Sequence, residues 1–189
     1  MASTLVIPPA APPVTLAEAK AHLRVTHDDE DSLIEDLIGA ATRFLADNDG
    51  ICLLRQTWRY FIDDIASTRC IYRFPAIGIN QATAFDGDGN ASIIDPTHIE
   101  LETRKRPAEL KFDDVSVHAI SANGAEVDID FGFGETPLDV PDTLKRALLV
   151  LIAHWYEFRA EVAPKDQPVS IPDQYNRLVA SFRLIGLGA

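Results

Sequence analysis

Four carboxylates stand in a row at Asp28-Asp29-Glu30-Asp31, and divalent-metal binding is the chemistry such a run invites. Acidic side chains on the first turn of a helix are also what the positive end of the helix dipole favours, so the run is read as the opening of a helix. Asp86, Asp88 and Asn90 reproduce the first half of a calcium-binding loop, but its sixth position is Ala91 where glycine is needed and its twelfth is Thr97 in place of glutamate. A hairpin turn is the better reading. Gly132-x-Gly134 lacks the third glycine and the directly following helix of a nucleotide-binding fingerprint, and reads as a turn.

His22, His27, His98, His118 and His154 show no ligand spacing, since Glu157 after His154 does not place two nitrogens on one metal. No serine sits in a glycine-flanked nucleophile elbow. Cys52 and Cys70 lie in neither a basic nor a glycine-rich context that would make a reactive thiolate, and read as buried free thiols of a reducing compartment. Arg104-Lys105-Arg106 with Lys111 would suit phosphate or an acidic partner, yet four charges in one loop are ordinarily solvated. No catalytic, metal-binding or cofactor-binding residue is assigned, no cofactor is expected, and an enzyme is not expected.

These side chains must be carried by elements that the chain is long enough to build. Its 189 residues, 47% hydrophobic and 24% charged, suit one folded body with a small appendage. A formal charge of −12 disfavours nucleic-acid binding as the main task, because that affinity rests on Lys and Arg neutralising phosphates. Residues 1–13 do not follow the pattern of a secretory leader, and the apolar run 147–153 is too short to span a bilayer.

Residues 1–14, with Pro8-Pro9 and Pro12-Pro13, read as an extended arm that is loose or lies on a neighbour. Residues 15–189 are expected to form a single domain. Thr15 and Glu18 make a capping box for a helix over 15–24, and Leu33, Ile34, Leu37, Ile38, Ala41 and Leu45 mark one face of a helix over 28–48. A mainly antiparallel β-insertion is expected over about 51–135, with strands at Thr57–Ile62, at 115–120 and, half-buried, at 127–131. Pro141-Asp142 opens a helix over 141–163, and Pro172-Asp173 another over 171–184, before an uncharged flexible tail over 185–189. The fold class is therefore α+β: a small bundle of about four helices with an inserted antiparallel β-unit.

In this order, several segments together resemble the head-to-tail connector, or adaptor, family of long-tailed phages, prophages and gene transfer agents. They are Thr15-Leu16-Ala17-Glu18-Ala19-Lys20-Ala21-His22-Leu23-Arg24, His27-Asp28-Asp29-Glu30-Asp31-Ser32-Leu33-Ile34, Gln56-Thr57-Trp58, Val140-Pro141-Asp142-Thr143-Leu144, Ala153-His154-Trp155-Tyr156-Glu157-Phe158-Arg159, Ile171-Pro172 and Phe182-Arg183. The resemblance implies a ring of about twelve copies at the head-tail junction of a virion or phage-like particle, made in a bacterial cytoplasm. Its partners would be the portal protein and a stopper or other tail-side protein, with DNA passing through the lumen without sequence-specific binding and no membrane involved. Leu144, Leu148, Leu151, Ile152, Trp155 and Phe158 give the late helix more apolar surface than a small bundle needs, and are the expected subunit interface. Phe182, Arg183, Leu184, Ile185 and Leu187 are the expected portal-binding residues. The rival readings are another ring component of the particle, a stopper or tail terminator, and an intracellular α+β enzyme or ligand-binding module.

Overall fold

The computed structural model describes residues 1–112, 117, 121–158 and 171–184. The fold is α+β, and the chain forms two compact units where one domain was expected. One unit is built from residues 1–9 and 55–132, the other from 10–54 and 133–184.

Among the described residues, the first unit holds every strand. Its larger sheet comprises β1 (Ala2–Ile7), β2 (Gln56–Ile62), β8 (Ala125–Phe131), β4 (Ala76–Phe85) and β5 (Ala91–Ile93), antiparallel throughout and in that order across the sheet. A smaller sheet takes the order β3 (Arg69–Ile71), β7 (Ala108–Phe112), β6 (Ile99–Glu102). Residues opposite one another in an antiparallel pair share a face, so Trp58 beside Ile129 and Tyr60 beside Val127 build the apolar side of the large sheet. All four are buried, with Ile71, Leu110 and Phe112 of the small sheet adding to the unit's buried apolar residues.

The turns follow the local chemistry. Asp86 accepts from the backbone N–H groups of Asp88 and Asn90 and from the Asn90 side chain, and Gly89 takes φ +85°, so this segment is the hairpin between β4 and β5. At the foot of β8, Gly124 has φ +84° and a Cβ there would lie 2.4 Å from the Ile62 carbonyl oxygen, which leaves glycine as the fitting residue. Residues 103–107 are the hairpin connection between β6 and β7.

The second unit is helical. Thr15 caps α1 (Leu16–Leu23) in a complete capping box with Glu18, as its spacing predicts. Lys20 then bridges Asp28 and Asp31, both at 2.6 Å, tying α1 to the start of α2 (Asp31–Asn48). The acidic run is thus engaged with a lysine, and α2 starts three residues later than expected. Ile34, Ile38, Ala41 and Leu45 of α2 pack in one core cluster with Leu144, Leu148, Leu151 and Ile152 of α3 (Asp142–Glu157) and Tyr175 and Val179 of α4 (Asp173–Val179). A 3-10 turn over Ala180–Phe182 continues α4. Ile51, Leu53, Leu54 and Phe133, taken by periodicity as ends of the β-insertion, belong to this helical cluster instead.

Three further expectations change. Residues 2–7 are extended, but they pair along β2 as an edge strand of the chain's own sheet, because Pro8-Pro9 ends the strand without interrupting it. β8 is buried on both faces, since Asp128 and Asp130 on its polar side are themselves covered. Cys52 is buried as expected whereas Cys70 is exposed, both as free thiols. The expected strand at 115–120, the end of the helix over 141–163 and the tail 185–189 lie outside the described residues.

Candidate assembly surface

Of the six expected interface residues, four are inside the chain. Leu144, Leu148, Leu151 and Ile152 have 0% exposure, filled against α2 and α4 of their own unit. The broad apolar stripe of α3 is accounted for by packing within one subunit, so these four are corrected from interface to core. Trp155 is half-buried with its ring edge-on to Phe44 at 5.7 Å. Phe158 remains at the surface, 38% exposed beside His154.

The expected portal-binding residues divide similarly. Arg183 donates from Nε to the buried carboxylate of Asp49 at 2.6 Å, and the Tyr175 hydroxyl donates to the other oxygen. Burial, reinforced by that bond, holds the Tyr175 phenol protonated far above its usual range. Phe182 packs edge-on against Phe133 at 6.1 Å. Phe182 and Arg183 therefore fasten the last turn to their own unit, with Leu184 half-buried after them. Ile185 and Leu187 lie outside the described residues.

The surface does present apolar groups that periodicity missed. Leu138 is 90% exposed on a 3-10 turn, Pro137–Asp139, which is fixed by bonds from the Thr136 backbone and hydroxyl to Asp139. Gly134 lies against that carboxylate: a Cβ there would come within 2.4 Å of Asp139. The turn signal legible at 132–134 stops short of this 3-10 turn, and nothing local says that Leu138 faces water.

On the polar side of the large sheet, Asp128 takes the Arg59 guanidinium at 2.7 and 2.9 Å. Asp130 accepts from Thr57 at 2.6 Å and from Arg55 at 2.8 Å. Burial raises the Asp130 pKa, but the bonds from Thr57 and Arg55 outweigh it and hold the carboxyl below its usual range. The signal was present as complementary alternation, basic at 55 and 59 against acidic at 126, 128 and 130. The loop cations are also paired: Arg104 with Glu102 at 3.0 Å, Lys105 with Glu109 at 2.7 Å, and Arg106 over the Phe74 ring. Bonds from Arg104 lower the Glu102 pKa to about 2. This neutralised hairpin leaves little net positive charge for a phosphate backbone.

Residues 13–74 match the family model described as phage gp6-like head-tail connector protein. Over this segment, about a third of the chain, the sequence is similar to head-tail connectors. The matched stretch contains both opening helices and Gln56-Thr57-Trp58, while the late helix lies beyond it. Comparison with curated proteins finds no match. Among solved structures, the chain is similar in fold to one in the neck of an empty gene transfer agent (GTA) particle computed with C6 symmetry. The TM-score is 0.80 at 18% identity, covering 99% of this chain and 97% of that one. A chain in the virion of a native GTA particle gives 0.77 at 19% identity over 99% and 97%. One in the neck of a native GTA particle computed with C12 symmetry gives 0.71 at 18% identity over 97% of each chain.

Proposed function

We propose that this chain is a ring-forming head-to-tail connector of a phage-like particle, made in a bacterial cytoplasm and built into the neck between the portal and the tail-side proteins. The observation that carries the reading is the likeness of nearly the whole chain to subunits of GTA necks, joined to the connector-family match over residues 13–74. The twelvefold symmetry of one such neck supports a ring of about twelve copies. An acidic chain with a charge of −12 suits a wall past which DNA moves without adhering, because phosphate contacts would add friction. The two-unit build, with helices before β2 and after β8 in the chain, fits this reading better than a predominantly β stopper or tail terminator.

In this reading Phe158, Trp155 and Leu138 are contact residues toward neighbours in the neck, and Leu184 with the tail 185–189 reaches the portal. Electron microscopy of the purified protein mixed with its portal tests the function. Rings stacked coaxially on portals are the expected result. A chain that stays monomeric in the presence of portal, at concentrations well above those of an assembling particle, overturns it.

A further inference from the structure

The five-stranded sheet ends in two open edges, and their chemistry matches. β1 forms one and β5 the other, and among the described residues neither has a strand on its outer side. Unpaired edges carry a row of backbone N–H and C=O groups, and proteins that stay monomeric usually guard them with charge, proline or a bulge. Here the guards are slight. No charged side chain occurs in residues 1–17, and residues 91–94 are also uncharged. A register shift near Val6 and the prolines at 8 and 9 close only the far end of β1. The side chains of β5 are all exposed, Ile93 at 77%. In a chain of net charge −12, copies repel one another over most of their surface, so an uncharged strip of unpaired backbone is where they can close.

We propose that copies of this chain join edge to edge, β5 of one subunit pairing with β1 of the next. This rests on the connector-ring reading and names its contact. A closed ring needs a head-to-tail interface made of two different patches, and the two ends of one sheet are such a pair. The strands alternate in direction across an odd number of places, so β1 and β5 run the same way. A rotation-related neighbour therefore sets its β1 parallel to β5. The register also says which side chains meet: Ile93 shares a face with Thr83, Glu126, Phe61 and Ala2, hence with Thr4, while Ser92 shares the opposite face with Ser3 and Leu5.

The test uses the full chain carrying Cys70→Ser, with Ser92→Cys combined with either Ser3→Cys or Leu5→Cys to allow one step of register. Four strand spacings put β1 and β5 of one chain about 19 Å apart, well beyond disulfide reach, so any bond between these positions joins two chains. Oxidation should give a ladder of linked copies with both cysteines present, and only background with either alone. In parallel, Thr4→Lys with Ile93→Lys should raise the concentration needed for rings at least about tenfold, and Thr4→Glu with Ile93→Lys should restore it. Rings that form equally well in both charge variants and show no ladder overturn the edge contact while leaving the connector reading intact. A wild-type chain that forms no rings, with or without portal, beside cysteine pairs that give no ladder, overturns both.

Discussion

At the scale of single residues, carboxylates are spent on holding the fold. Asp130 is the instructive case, because its carboxylate is buried and its pKa is lowered in the folded state. A lowered folded pKa contributes stability that is fully present above the ordinary carboxylate value and is lost as pH falls through the lowered one. Asp130→Asn should therefore melt earlier than wild type at neutral pH, by about 1–3 kcal/mol. That gap should close as the pH is taken below about 4, which urea titrations across pH would show. Gly124→Ala places a methyl against the Ile62 carbonyl and forces a positive φ on alanine, so its stability should fall by more than about 1 kcal/mol. Gly78, with open space around its Cβ position, provides the control.

At the scale of elements, α3 shows how one pattern admits two meanings. An apolar stripe wider than a bundle usually needs is compatible with an interface, and equally with a helix enclosed on most sides by its own chain. The packing of α2 and α4 decides for the second. Leu148→Ala should accordingly cost about 2–5 kcal/mol in the isolated chain through a buried cavity. Leu138→Ser, on an exposed but rigid turn, should leave stability within about 0.5 kcal/mol while weakening assembly in sedimentation experiments. The opposite ranking would return α3 to the interface. Element positions were legible where local chemistry is strong: the capping box at Thr15, the Asp86 turn, the Pro-Asp openings of α3 and α4. They were misjudged where a partner decides, as at β1, whose proline-flanked residues look like an arm until β2 is placed beside them.

At the scale of the molecule, two units are made from interleaved stretches of chain, and a segment such as Ile51–Leu54 can be apolar for either. Periodicity cannot choose, because it records that a residue is buried and not against what. The assembly reading has its own prediction at this scale. With Phe182 and Arg183 occupied within the subunit, portal affinity should reside in the residues C-terminal to them. Deleting residues 184–189 should abolish co-purification with the portal while leaving the melting temperature nearly unchanged. Retained binding would remove the tail from the portal contact.

The sequence by itself determined the fold class, the helix caps and turns, the failure of each candidate catalytic or metal motif, and the resemblance to connectors through its two opening helices. All of these are carried by residues within a few positions of one another, where capping, turn and charge effects act. The tertiary structure decided which apolar faces are spent inside the subunit and which remain for a neighbour. It turned an interface helix into a core helix, a loose arm into an edge strand, and a half-buried strand into one covered on both faces with its aspartates in ion pairs. The reason is physical: burial and pairing depend on partners far away in the chain, and those partners exist only once the backbone has folded.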